Sequence, residues 1–266
     1  MRTILKISKR LQQIEAMATL PYQHIWDCCC DHGLLGFALL SRQISRQQSG
    51  QASSIIHFVD IVPDLIGKVQ QKLERFYPDS KWKAHCLDVE KLPLTQYQGK
   101  HLVIIAGVGG DLMMQFISAI SQQHKNLNID FLLCPVHHQF ALREKLIALD
   151  FSLIDEVLIE ENQRFYEILL VSSLSKEPGE ELTEELGGKN NKISAVGDKI
   201  WQATSDKQCE ITDKYLRKTL SHYQRIQQGY LQKNLQSKAN DVQHIIDAYR
   251  AIPKLLEDAF SSGLGI

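Results

Sequence analysis

Short apolar runs alternate along the first half of the chain with stretches in which apolar residues recur every three or four positions. His24-Ile25-Trp26-Asp27-Cys28 reads as a buried strand, Asp31-His32-Gly33 as a tight turn, and Phe37-Ala38-Leu39-Leu40 as the continuation of a helix. Ahead of it, Ser8 is placed to cap a short helix over Lys9–Ala18 that carries Leu11, Ile14 and Ala18 on one face. Ile55–Asp60 is the second strand, and Pro63 opens a helix through Leu65, Val69 and Leu73, as proline at a first helical position does. A third strand lies around Trp82–Cys86 and ends at Asp88. A fourth, His101–Ala106, runs into Gly107-Val108-Gly109-Gly110 and then a helix bearing Leu112, Met113, Phe116, Ile117 and Ile120. The fifth strand, Asp130–Cys134, is stopped by Pro135, and its helix spans about Gln139–Leu149.

There the rhythm changes. Phe151–Ile159 and Arg164–Val171 are two strand-like runs separated by a few polar residues centred on Asn162, too few for the crossover that a parallel pair needs, so they form an antiparallel hairpin. Five parallel strands closing in a hairpin is the order of a Rossmann-like methyltransferase sheet of seven strands with an antiparallel last strand, an expectation drawn from fold analogy. From Lys176 the chain turns acidic and then glycine-rich, which reads as a linker. Beyond it Ile211, Tyr215, Leu220, Tyr223, Ile226, Tyr230 and Leu235, then Val242, Ile245, Ile246, Tyr249, Ile252 and Leu256, predict two long helices packed as an antiparallel, coiled-coil-like pair with a break near Ser237. The expected organisation is an α/β domain over 1–175, a linker over 176–206 and a helical domain over 207–266.

Composition narrows the classes. The chain has 266 residues, 44% of them hydrophobic and 23% charged, with a formal net charge of -1, which suits a globular α/β domain with an appendage. No apolar run approaches the roughly 18 residues of a membrane helix. The basic start lacks the apolar core and cleavage site of a signal peptide, so the expectation is a cytoplasmic protein. Cys28, Cys29 and Cys30 are adjacent while Cys86, Cys134 and Cys209 stand apart, a pattern that suggests neither a disulfide framework nor a metal site. The adjacent His137-His138 pair has no ligand partner at metal spacing and adds none. In the helical region Lys207, Lys214, Arg217, Lys218, Arg225, Lys233, Lys238 and Arg250 stand against Glu210, Asp213, Asp241 and Asp247. That modest surplus fits either an RNA-binding face or a solvated one.

Several motifs together carry a resemblance. Ser8-Lys9-Arg10-Leu11, Asp27-Cys28-Cys29-Cys30-Asp31-His32, Ile105-Ala106-Gly107-Val108-Gly109-Gly110, the hairpin from Asp155-Glu156 to Tyr166-Glu167 and the helical pair occur in the order of the bacterial tRNA adenine-N1 methyltransferases that modify position 22, which this chain resembles from about Lys6 to Ile252. The resemblance implies S-adenosylmethionine as donor and tRNA as substrate. The chain departs from the family at Cys29, where a glycine is usual and which a residue inside the strand would tolerate, and at Cys134-Pro135-Val136, where the family has Gln-Pro-Asn.

Read on their own chemistry, the candidates divide by role. Asp60 ends a strand where an acceptor-only carboxylate can take both ribose hydroxyls of a nucleoside, the alternative being a turn or cap. Asp88 is placed to accept from the adenine amino group or to cap the turn that follows. Asp27 and Cys29 join this donor set. Gly107, Gly109 and Gly110 let backbone approach a ligand, or let a helix approach a strand. Asp31 and His32 are the catalytic candidates: Asp31 can orient the donor's amino-acid end or the target base and, since N1-methylated adenine is cationic, stabilise the developing charge, the alternatives being an N-cap for Asp31 and a surface hydrogen-bonding role for His32. Lys214, Arg217, Lys218 and Arg225 are the RNA-binding candidates. Two other functions fit the same features: methylation of a protein or small molecule with the helical pair as partner arm, and a non-catalytic RNA-binding protein that keeps the fold.

Overall fold

The computed structural model describes residues 7–19, 21–47, 53–173, 192–203 and 205–252, with the side chains of 45–47 excepted. Among these residues seven strands, β1 (His24–Cys28), β2 (Ile55–Asp60), β3 (Trp82–Cys86), β4 (His101–Ala106), β5 (Ile129–Cys134), β6 (Ser152–Glu161) and β7 (Arg164–Ser172), form one sheet in the order β3-β2-β1-β4-β5-β7-β6. The pairs from β3 to β5 are parallel, and β7 enters antiparallel to β5. β1, β4 and β5 lie inside the sheet and are buried along almost their whole length, which is why each reads as an unbroken apolar run. The turn between β6 and β7 is Asn162-Gln163, both at positive φ (51° and 62°), the backbone that a two-residue hairpin needs.

The described residues form seven α-helices: α1 (Lys9–Met17), α2 (Leu34–Gln47), α3 (Pro63–Phe76), α4 (Gly110–Gln123), α5 (Gln139–Ala148), α6 (Asp206–Gln232) and α7 (Gln236–Arg250). Ser8 caps α1 by accepting from the Leu11 N–H at 3.2 Å. On one face of the sheet the turn into α2 packs so closely on β2 that a Cβ at Gly36 would lie 2.2 Å from the Phe58 ring. On the other face Met113, Phe116, Ile117 and Ile120 of α4 and Leu142 and Leu146 of α5 close over Trp26, Cys28, Val59, Val103, Ile105 and Phe131. No described helix is long and apolar enough to cross a membrane.

Two polar clusters sit within this core. Arg143 of α5 is fully buried and paired at 2.7 Å with both Glu156 of β6 and Glu167 of β7, so the acidic ends of the hairpin motif are the two jaws of a buried clamp. Across β1, β2 and β3, imidazoles form a row: His24 Nδ1 is 3.0 Å from His57 Nε2, and His57 Nδ1 is 2.9 Å from His85 Nε2. Trp26 stacks on His57 with ring centroids 3.7 Å apart and donates its indole N–H to His101.

The chain divides into two compact units, 1–156 with 166–193, and 157–165 with 194–266. Of the stretch expected as linker, 176–191 lies outside the described residues, while the following segment buries Ile193, Ile200 and Trp201. In the second unit α6 and α7 are joined by Lys233-Asn234-Leu235. Asn234 is left-handed (φ 56°) and Leu235 donates to the Tyr230 carbonyl at 2.9 Å. This is a Schellman stop, so the break falls there, before Ser237, which lies inside α7. Tyr215 and Tyr249 are buried between these helices, and Leu256 lies outside the described residues.

Candidate active site

The carboxyl ends of β1, β2 and β3 meet around one loop. β1 stops at Cys28, and three of the next five residues are left-handed: Cys29 (φ 56°), Asp31 (φ 50°) and Gly33 (φ 74°). Cys29 therefore lies beyond the strand, so the condition under which the departure from glycine would be tolerated is not met, and a non-glycine residue there carries a left-handed penalty of about 1–2 kcal/mol. What holds the loop is a set of bonds to neighbouring strands. Cys30 donates its N–H to Val59, Asp31 donates its N–H to Asp60 Oδ2 at 3.0 Å, and Gly36 donates to Asp27 Oδ2 at 2.9 Å.

Asp27 is buried, and its pKa is pushed up to about 7 by that burial, with the Gly36 bond opposing and the charge of Asp60 adding to the rise. Asp60 is also buried, and its second oxygen accepts from Val62 N–H at 3.1 Å. Each Asp60 oxygen thus holds one backbone donor and keeps lone pairs for a ligand. Asp88 caps the 3-10 turn Val89–Lys91 through a 3.0 Å bond to Glu90 N–H, so the capping role is realised alongside any other. Asp60, Asp27 and Asp88 are all felt by the half-buried Cys29 thiol, which burial and, in that order, these three negative charges push up to about 11. The structure thereby gathers Asp27, Cys29, Asp60 and Asp88 at one locus. Asp31 and His32 stand just outside it, their side chains 67% and 60% exposed and 3.7 Å apart.

The glycine run has two different explanations. Gly107 follows β4 at φ 85°, is exposed, and donates its N–H to Cys134. At Gly109 a Cβ would lie 2.4 Å from the His137 ring, and at Gly110 it would lie 2.8 Å from the His137 carbonyl, so the clearance at these two is taken up by the loop after β5. In that loop His138 is left-handed (φ 62°) and its Nδ1 is 2.9 Å from Asp111.

Two features escaped the sequence reading. Ile61 and Val62, directly after Asp60, are 65% and 42% exposed, an apolar pair offered to solvent beside buried carboxylates. The signal for them was two β-branched residues placed between a strand-ending aspartate and the helix-opening Pro63. The second is Arg10, whose guanidinium carbon lies 5.0 Å above the Tyr166 ring and whose terminal nitrogens flank Gly107.

The four candidate RNA ligands lie together on α6 in the other unit. Lys214 pairs with Glu210 at 2.5 Å and Arg217 with Asp213 at 3.0 Å. Lys218 donates to the Gln163 carbonyl at 3.1 Å, and Arg225 to the Ser221 carbonyl at 3.3 Å. The Glu210–Lys214 bond lowers the pKa of the acid and raises that of the base.

A methyltransferase-domain family model matches residues 7–169, and that of the tRNA (adenine(22)-N(1))-methyltransferases matches residues 89–251. Among solved structures, the chain is similar to the m1A22 tRNA methyltransferase TrmK of B. subtilis, at 19% identity and a TM-score of 0.67 over 94% of this chain and 99% of that one. It is similar also to TrmK of M. capricolum in complex with S-adenosyl-homocysteine, at 16% identity and a TM-score of 0.59 over 91% of this chain and 99% of that one. A third is a putative tRNA (m1A22) methyltransferase of Streptococcus pneumoniae in complex with S-adenosyl-L-methionine, at 17% identity and a TM-score of 0.61 over 93% and 99% of the respective chains. No curated protein matches the sequence.

Proposed function

This chain belongs to the tRNA (adenine(22)-N(1))-methyltransferase family, and from that premise we propose how its own residues divide the work. The activity is transfer of a methyl group from S-adenosylmethionine to N1 of adenine 22 in tRNA. Bound, the donor supplies an electrophilic methyl on a good leaving group. The acceptor nitrogen has an in-plane lone pair, so alignment and exclusion of water can provide most of the acceleration without a general base.

The observation that carries the assignment of the donor end is the convergence of Asp27, Asp60 and Asp88 on Cys29 at the carboxyl ends of adjacent strands. On this reading Asp60 accepts the ribose hydroxyls, Asp88 the adenine amino group, and Ile61 and Val62 cover the flat face of the base. Asp27 and Cys29 shape the loop from beneath, and Gly107 lets the acceptor end approach. Asp31, with His32 beside it, is the carboxylate nearest to where positive charge develops on the target adenine. Its exposure means that the charge acts at full strength only once RNA excludes water. A stem base must also leave its stack, at a cost of a few kcal/mol that contacts to the RNA offset. Lys214, Arg217, Lys218 and Arg225 of α6 contribute part of that contact. Lys214 and Arg217 would exchange a carboxylate for a phosphate, so the gain per cation is modest.

Calorimetry of S-adenosylmethionine with Asp60→Asn and Asp60→Ala is the direct test. The alanine variant should lose about 1.5–3 kcal/mol of binding, the range for hydrogen bonds to a charged group, and the amide less. Unchanged affinity in a variant that keeps its fold removes Asp60 from the donor site.

A further inference from the structure

We propose that the outer face of α3 is a contact surface for the RNA substrate, with Lys68, Lys72 and Arg75 against phosphates and Phe76 against a base. The proposal rests on tRNA being the substrate, and it concerns the first unit alone. One side of α3 is buried through Ile66, Val69 and Leu73. On the other side Lys68, Gln71, Lys72, Arg75 and Phe76 are all exposed, Phe76 by 63%. Lys68, Lys72 and Arg75 follow one another at four and three residues, so they stand in one line about 10 Å long on the helix.

Within the chain these charges are left uncompensated. None of the three makes an ion pair among the described residues. Glu74 of the same helix instead accepts from the Gln70 side chain at 2.9 Å, and Asp64, four residues before Lys68, is not paired with it. Lys72 and Arg75 lie over rings, with Lys72 Nζ 5.9 Å from the Phe37 centroid and the Arg75 guanidinium carbon 5.1 Å from that of Phe76. On α6, by contrast, Lys214 and Arg217 already hold an acid four residues earlier. Like charges at these spacings work against a helix, and a polyanion laid along the line removes that repulsion. Gly67 adds an independent sign. It stands in the exposed part of α3 where a Cβ would meet nothing, so no packing within the chain accounts for a residue that weakens a helix, and it leaves backbone open beside Lys68 and Gln71.

Shape and chemistry identify the anion. The hollow among Lys68, Gln71, Lys72, Arg75 and Phe76 is open and about 230 Å³ in volume, below the roughly 300–1,000 Å³ of a site that encloses a small molecule. The face therefore suits a strand passing over it. An exposed ring beside uncompensated cations supplies base stacking together with phosphate attraction, the combination with which proteins hold RNA strands. α3 opens at Pro63, directly after Asp60-Ile61-Val62, and Lys68 and Arg75 lie about 8 and 18 Å further along its axis. The face thus begins within reach of RNA bound at the site and leads away from it.

Equilibrium binding of unmodified tRNA to the full chain over a salt series tests this. Replacing Lys68, Lys72 and Arg75 together with glutamine should weaken tRNA by about tenfold or more at low salt and reduce the slope of log K against log salt by roughly 2–3. Affinity for S-adenosylhomocysteine, measured by calorimetry, should stay within about twofold, since none of these side chains belongs to the donor site. Phe76→Ala should weaken tRNA by about fivefold or more at the parental slope, because stacking releases no counterions. Parental affinity and slope in the triple variant overturn the proposal. A loss confined to the charge variant, with Phe76→Ala unchanged, is long-range attraction without contact and overturns it too. So does a shift in oligomeric state on replacing the cations, which assigns the face to a second copy of the chain. If the unaltered protein binds S-adenosylhomocysteine but no tRNA, the substrate reading itself fails and the face loses its partner with it.

Discussion

The row of imidazoles makes acid stability the sharpest quantitative test of the core. His24 Nε2 lies 3.1 Å from the Gln98 carbonyl, which can only accept, so His24 Nδ1 must accept from His57 and His57 Nδ1 from His85. His101 is fixed in the same way, receiving the Trp26 N–H while its other nitrogen lies 3.1 Å from the Tyr97 carbonyl. Burial, reinforced by His85, His24, Lys83 and His101, drives the His57 pKa from 6.5 to about 2, and burial with His24 takes His101 to about 4. The unfolded chain takes up these protons near pH 6.5 while the folded chain refuses them. Stability is therefore full above pH 6.5 and falls as pH drops, by about 1.4 kcal/mol per unit for each imidazole. Asp27 works in the opposite sense. Its folded pKa of about 7 against 3.8 means that the folded state takes its proton first, so it gains about as much per unit over the same window. His24 and His85 are shifted down by burial as well and add to the loss, so the balance of these groups is a fall in stability as pH drops from 6.5 to 4.5. His57→Gln keeps an N–H to face His24 but cannot titrate. Urea unfolding at several pH values from 7 to 4.5 should give a variant curve shallower than the parent's by about 1.4 kcal/mol per unit. Parallel slopes in the two proteins would refute the reasoning.

Three further predictions follow from the site and its supports. Gly36→Ala forces a methyl to within 2.2 Å of the buried Phe58 ring and should lower unfolding free energy by about 1–3 kcal/mol; a change under 0.5 kcal/mol would mean that α2 can slide on the sheet. Replacing Lys214, Arg217 and Lys218 with glutamine should weaken tRNA binding and reduce the slope of log K against log salt by roughly 2–3 while leaving donor affinity alone, and an identical salt slope would favour a protein-partner role for α6. Asp31→Asn should lower kcat more than it raises either KM, because its charge acts on the cationic transition state. Single-turnover rates at saturating donor and tRNA decide this, and an unchanged rate with weaker donor binding makes Asp31 a binding residue.

Local chemistry alone determined much of this molecule. Apolar runs marked the five parallel strands, Pro63 and Ser8 marked helix starts, and the shortness of the gap at Asn162 forced the hairpin, because each of these depends on residues close together in the chain. The acidic residues closing β1, β2 and β3 were legible for the same reason. Their convergence was not, since it depends on the parallel register that sets β1 between β2 and β4. That register also brings His24, His57 and His101, all buried, and the half-buried His85 from four strands into one row, which no spacing in the sequence reveals. At Gly109 and Gly110 the sequence left ligand and packing readings equal. The path of the loop after β5 decides that His137 occupies the clearance. Arg10 lies nearly a hundred residues from Gly107, and only the docking of α1 at the end of β4 turns an ordinary helix cation into a half-buried charge without a partner among the described residues. Tertiary structure decided these features because desolvation and charge complementarity are set by what surrounds a side chain in space, and sequence neighbours supply only a small part of that surrounding.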